Sequence, residues 1–266
     1  MSVYKLLFVF IFLTGFVGIN MLYENMNVSL KAEKAIRPFT FQFNDDDVNF
    51  KHNFCESKLQ NNKGPEKMNA YTSLIISIVP FVYGFPNNPL FYNVACMLSV
   101  NGVASYHYHY YLTWVGKQAD EISMILANYF GMWGLIDMHY KGSEKQNLLN
   151  RYNTAFMYLF LLGNTLIQYD PLFPSIFGVY VGGTLIMIYK VANKYHISYK
   201  KKLFISFIGA TCWIISEHFC NEYTKYGHPI WHILFPLGFY KLVLDFDVVM
   251  EGLPKRIIHH NPHCLQ

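Results

Sequence analysis

Seven apolar runs constrain this chain more than anything else in it. They fall at 69–85, 89–112, 119–137, 152–169, 173–191, 203–220 and 227–247, each close to the roughly 17 to 25 residues that cross a bilayer as a helix. The composition agrees. With 53% hydrophobic, 18% aromatic and 14% charged residues, the 266-residue chain holds more apolar surface than a soluble domain of that length needs to bury. The expected fold is therefore all-α, a seven-transmembrane helix bundle. An eighth apolar run, Leu6 to Leu22, follows Lys5 and reads as a signal sequence or signal anchor. No small-x-small cleavage site follows it, which favours the anchor.

This divides the chain into a signal sequence or anchor (1–23), a polar lumenal or extracellular segment (24–68), the seven-helix domain (69–247) and a cytosolic tail (248–266). Segment 24–68 carries seven acidic and seven basic residues, the acidic run "NDDDV" and the sequon Asn27-Val28-Ser29, whose tripeptide also arises by chance. Orientation follows from Lys and Arg in the short loops. Lys141, Lys145, Arg151, Lys190, Lys194, Lys200, Lys201, Lys202, Lys255 and Arg256 fall on one side, against Lys117 and Lys225 on the other. The first side is cytosolic, so the C-terminus is cytosolic and segment 24–68 is not. Endoplasmic reticulum or Golgi is the expected membrane, and no nucleic-acid partner is expected.

On this map the polar residues converge. The stretch "SYHYHYY" (105–111) places Ser105 and His109 where the second span reaches the lumenal side. Asp120 lies where the third leaves it, and His228 and His232 open the seventh. Both Ser105/His109 and His228/His232 are spaced i, i+4, so each pair projects from one helix face, and ionisable groups within spans usually face a bundle interior and mark function. Three imidazoles with an open position form the ligand set of catalytic zinc, unlike a closed thiolate site. A neighbouring carboxylate suits proton transfer or orientation at such a centre. Isolated histidines are more often structural, which is the expectation for His107, His139, His196 and His218; the tail histidines 259, 260 and 263 are expected to be solvated. Glu217, Asp137 and Trp133, near helix ends, are expected to cap, pack or anchor, and Pro229 suits a first helical turn.

At these residues the chain resembles the alkaline ceramidase family. "GVASYHYHYYLTWVGKQADE" is similar to that family's Ser and His four apart, followed eleven residues later by Asp in an Asp-Glu pair. "GHPIWHIL" resembles its closing His-x-x-x-His, and "NFCE" with "EKMNAYTS" its N-terminal Cys-Glu and Glu-x-x-Asn segments. The resemblance spans about Asn53 to Leu237. It implies a seven-helix intramembrane amidase that uses zinc to cleave ceramide into sphingosine and a fatty acid. In that role His109, His228 and His232 hold the metal, Asp120 activates water and Ser105 helps stabilise the oxyanion; the surrounding tyrosines would donate hydrogen bonds or pack.

The resemblance also implies a calcium site at Asn53, Phe54, Glu56 and Glu66. Here the chain departs from the pattern: Asn53 replaces Asp, Phe54 replaces Trp, and Lys58 stands where a neutral oxygen is expected. Calcium takes six to eight oxygens, so Lys58 predicts a weakened site in which the ammonium pairs with Glu56 or Glu66. Of five cysteines, Cys96 and Cys212 fall inside spans, and Cys264, third from the end, does not form a prenylation box. Cys55 and Cys220 both fall on the lumenal side, where disulfides persist, and are the natural pair. Two alternatives stay open: a receptor-like or degenerate seven-helix member that binds lipid without turnover, and a related lipid-remodelling hydrolase. Ser105 and Asp120, which are not needed to hold the metal, favour the enzyme; the Cys-Glu segment and the Asp-Glu pair favour the ceramidase.

Overall fold

The structure, a computed structural model, describes residues 54–61, 65–163 and 172–252. The leading apolar run, the Asn27 sequon, the acidic run, Asn53 and the tail with Lys255, Arg256, Cys264 and the three histidines lie outside the described residues. Among the described residues the fold is all-α. A short helix α1 (Cys55–Leu59) precedes seven long ones: α2 (Lys67–Tyr83), α3 (Pro89–Tyr111), α4 (Trp114–Tyr140), α5 (Glu144–Leu162), α6 (Leu172–Tyr195), α7 (Lys200–His218) and α8 (Gly227–Gly252). A 3₁₀ turn, Thr224–Tyr226, leads into α8.

Helix boundaries follow caps more than apolarity. The run expected at 119–137 begins at Trp114, because the Thr113 hydroxyl accepts the Gly116 N–H at 3.1 Å. That expected at 152–169 begins at Glu144, behind a Ser143 cap that takes the Gln146 N–H, and its described helix ends at Leu162. Backbone hydrogen bonding continues through polar residues that an apolar count leaves out. Asn88 caps α3 with Pro89 at the first helical position, where a missing N–H is harmless. Leu112, in the left-handed conformation, closes that helix.

Packing runs from α7 to α8, α2, α3 and α4, with α5 and α6 against α4. The main core joins Phe91, Val94 and Leu98 of α3 to Leu135 of α4, Ile188 and Val191 of α6, and Tyr240, Val243 and Phe246 of α8. A second cluster joins Ile125 and Tyr129 of α4 to Met157 and Phe160 of α5 and Ile176 and Tyr180 of α6. At one end of the bundle, buried Asp247 accepts the Asn87 and Asn88 backbone N–H groups at 2.9 and 2.8 Å, tying α8 to the α2–α3 turn. That turn uses Gly84 at φ 90°, and its carbonyl takes the Tyr240 hydroxyl at 2.6 Å.

Where α7 meets α8 the backbones come too close for side chains. A Cβ on Gly238 would run into the Lys202 carbonyl and the Ser206 side chain, whereas one on Gly178 would meet nothing. Gly238→Ala is therefore expected to destabilise the protein by about 1–3 kcal/mol through overpacking. Gly178→Ala, compared with it by thermal melting, should be neutral or slightly stabilising.

Candidate active site

Five chain segments meet at the end of the bundle opposite Asp247: α1, the start of α2, the end of α3, the first turns of α4, and the α7–α8 junction. His109 ends α3, while His228 and His232 lie on the first turns of α8, with Pro229 in the opening turn as its geometry allows. The three rings are buried, and one nitrogen from each lies within 4.8 Å of the others. His107, His139, His196 and His218 are not part of this cluster.

Each ring is held through its Nδ1 by a different partner. His109 meets Glu66 Oε2 at 2.5 Å. His228 meets Glu217 Oε1 at 3.3 Å. His232 meets Thr72 Oγ1 at 3.0 Å and Ser73 Oγ at 3.4 Å. The Thr72 hydroxyl donates to the Met68 carbonyl and the Ser73 hydroxyl to that of Asn69, both at 2.7 Å, so their oxygens are left to accept. That fixes His232 as the Nδ1–H tautomer. With Nδ1 engaged in all three, Nε2 is the nitrogen each ring offers a metal, as ligating histidines usually arrange it.

Glu56 and Glu66 divide two tasks that a single N-cap carboxylate could not perform together. Glu66 immediately precedes α2, yet its side chain does not cap that helix; it turns to His109, with Ser57 and Asn69 also donating to it. Glu56, from α1, caps in its place, accepting Met68 N–H at 2.9 Å and Asn69 N–H at 3.0 Å. Burial pushes the Glu66 carboxyl up, but the His109 hydrogen bond and charge, together with Ser57, outweigh it and hold the group at about 2.

Phe54 packs its ring against two of the histidines, with centroids 4.6 Å from His228 and 5.3 Å from His109, and its carbonyl accepts Lys58 N–H at 3.0 Å. The expected pairing of Lys58 with Glu56 or Glu66 is corrected. Its Nζ donates to the Glu217 carbonyl at 3.2 Å and lies 3.8 Å from Glu217 Oε2, while Glu56 and Glu66 are already engaged by other donors. Cys55 and Cys220 form a disulfide, Cα–Cα 5.2 Å, joining α1 to the end of α7.

Asp120 is half-buried beside the trio. It accepts Asn101 Nδ2 at 2.8 Å. Ser105 lies 3.1 Å from Ser73. Tyr106 and Tyr110 stack on α3, and the exposed Tyr71 of α2 meets them at an angle. Asp137 accepts Gln146 and Asn150, both at 2.8 Å, far along α4. Sequence reading missed Asn101, Thr72, Ser73 and the role of Glu217. Asn101 was within reach of it, since Asn101, Ser105 and His109 repeat every four residues on one face; Glu217 has no such local signal.

The fold and site define a helical bundle with a buried histidine trio that could hold a metal, beside the carboxylate of Asp120. The family described as Ceramidase matches residues 47–256, and the chain belongs to it. Its general activity is thus hydrolysis of ceramide. No curated protein matches the chain.

The disulfide yields a direct expectation. Non-reducing peptide mapping should recover the Cys55 and Cys220 peptides linked, and Cys220→Ser should lower stability by about 2–4 kcal/mol; two free thiols in the mapped protein would contradict the pairing.

Proposed function

We propose that the protein is a zinc-dependent intramembrane amidase that hydrolyses ceramide to sphingosine and a free fatty acid. The observation that carries this is the shared arrangement of the three rings, each with Nδ1 engaged and Nε2 left for a metal, beside Asp120 and Ser105. The donor set suits zinc, being three neutral nitrogens with no thiolate. His109, His228 and His232 would hold the ion. When bound, zinc supplies a water acidified to a pKa of about 7 and a Lewis acid for the amide carbonyl.

The chain's own residues complete the reaction. Asp120, held by Asn101, takes the proton released as water attacks the carbonyl carbon. Ser105 donates to the carbonyl oxygen as negative charge develops there. As the C–N bond breaks, Asp120 returns its proton to the departing nitrogen, giving the free amine of sphingosine and the fatty acid.

The membrane setting rests on the outer surface. Ile78 and Val82 of α2, Leu159 and Leu162 of α5, Val179 and Ile186 of α6, Phe204 and Phe207 of α7, and Val248 of α8 are all exposed, as lipid-facing side chains would be. Among the described residues one segment, Phe173–Lys194, is long and apolar enough to cross a membrane by itself, with a mean hydropathy of 1.5. The helices that build the site carry its polar groups within their length, which lowers their averages. In the proposed arrangement α2 to α8 span an endoplasmic reticulum or Golgi membrane, with the site near the lumenal face and the basic loops in the cytosol.

Calcium has no part in this reaction scheme. Lys58, at the position the resemblance gives to an oxygen ligand, faces Glu217, which leaves Glu56, Glu66 and the Phe54 carbonyl as the candidates among the described residues, short of the six to eight oxygens calcium takes.

Purified protein should carry about one zinc per chain by elemental analysis, and the double variant His228→Ala/His232→Ala should lose both metal and hydrolysis. Asp120→Asn should keep zinc while the turnover of ceramide falls by about 10²–10⁴, with Ser105→Ala less severe. Full zinc in the double histidine variant would overturn the assignment. The rate should also survive a calcium-selective chelator; collapse that only added calcium reverses would return a calcium site to the mechanism.

A further inference from the structure

Lys58, Glu217 and His228 form a chain of cation, carboxylate and imidazole that ends on a proposed metal ligand. We propose that Lys58 and Glu217 are positioning residues for His228, so that helix α1 governs how tightly the three-histidine centre holds its metal. This rests on the zinc reading above and adds to it a part for α1.

Among the three ring partners Glu217 is held least by its surroundings. Glu66 is fully buried and receives Ser57 and Asn69 as well as His109. Thr72 and Ser73 are fixed by donating to carbonyls of their own helix. Glu217 gives Oε1 to His228, but its Oε2 makes no hydrogen bond although it is buried. Lys58 is the cation beside that oxygen, at 3.8 Å, and it also caps the Glu217 carbonyl at 3.2 Å. That carbonyl lies in the last turn of α7, where the helix leaves acceptors unpaired and where an acidic side chain is poorly placed against the helix dipole. A lysine there answers both.

The placement of Lys58 is itself fixed. Cys55 and Lys58 are three apart on α1, and Glu217 and Cys220 are three apart at the end of α7, so the disulfide and the ion pair join the same two segments in parallel. Phe54, adjacent to Cys55, covers the His228 ring from the same element. A plain surface salt bridge is the competing account. The Lys58 side chain is 39% exposed, and exposed pairs contribute little to stability. The two accounts therefore differ in what they predict for metal binding as opposed to melting.

The test measures zinc dissociation constants of the full-length protein in detergent by competition with a chromogenic chelator, alongside thermal melting of the same samples. Glu217→Ala should weaken zinc binding by about 10- to 100-fold, and Lys58→Met by a smaller factor with an unchanged melting temperature of the zinc-free protein. Lys58→Arg should restore wild-type binding. Lys58→Met added to Glu217→Ala should weaken binding no further, since the cation acts through the carboxylate. Wild-type zinc affinity in Lys58→Met, or full additivity in the double variant, overturns the inference while leaving the zinc reading intact. A wild-type protein that binds no zinc overturns both.

Discussion

Everything at the site depends on how the Nδ1 atoms of three histidines are held. An imidazole binds a metal through one nitrogen only when the other is committed elsewhere. Here the commitments come from three places: Glu66 before α2, Thr72 and Ser73 within it, and Glu217 at the end of α7. The architecture that brings α2, α3, α7 and α8 side by side is thus a requirement of the chemistry. If α2 were displaced, two of the three rings would lose their partners together.

The short helix α1 becomes intelligible in the same terms. It is too short to be stable alone, yet it supplies the Glu56 cap of α2, the Ser57 donor to Glu66, the Lys58 contact with Glu217, the Phe54 ring against two of the histidines and one half of a disulfide. Its energy of attachment comes from these contacts. They tie α1 to the partners of His109 and His228. Of the residues that family resemblance would assign to calcium, Phe54, Glu56 and Glu66 are engaged in these contacts.

The half-burial of Asp120 contrasts with the full burial of the histidines. In the proposed function the histidines benefit from exclusion of water, because competing hydration is removed and the rings stay fixed. In the same proposal Asp120 exchanges protons with substrate and water, and needs access. Asn101, on the same face of α3 as His109 and itself buried, holds the Asp120 carboxylate at 2.8 Å.

By itself the sequence determined the all-helical class, the order of the long helices, the one end of the bundle at which Ser105, His109, Asp120, His228 and His232 would gather, and the pairing of Cys55 with Cys220. These follow from local periodicity, from run length and from which loops share a side, all of which are readable along one dimension. It placed helix starts poorly at Trp114 and Glu144, because caps and not apolarity set them. Only the tertiary structure decided that Glu56 caps α2 while Glu66 turns to His109, that Lys58 reaches Glu217, and that Glu217 holds His228. Carboxylates and ammonium groups carry no mark of their partner, and contacts across 159 residues of chain, such as Lys58 to Glu217, exist only once packing has brought two segments together.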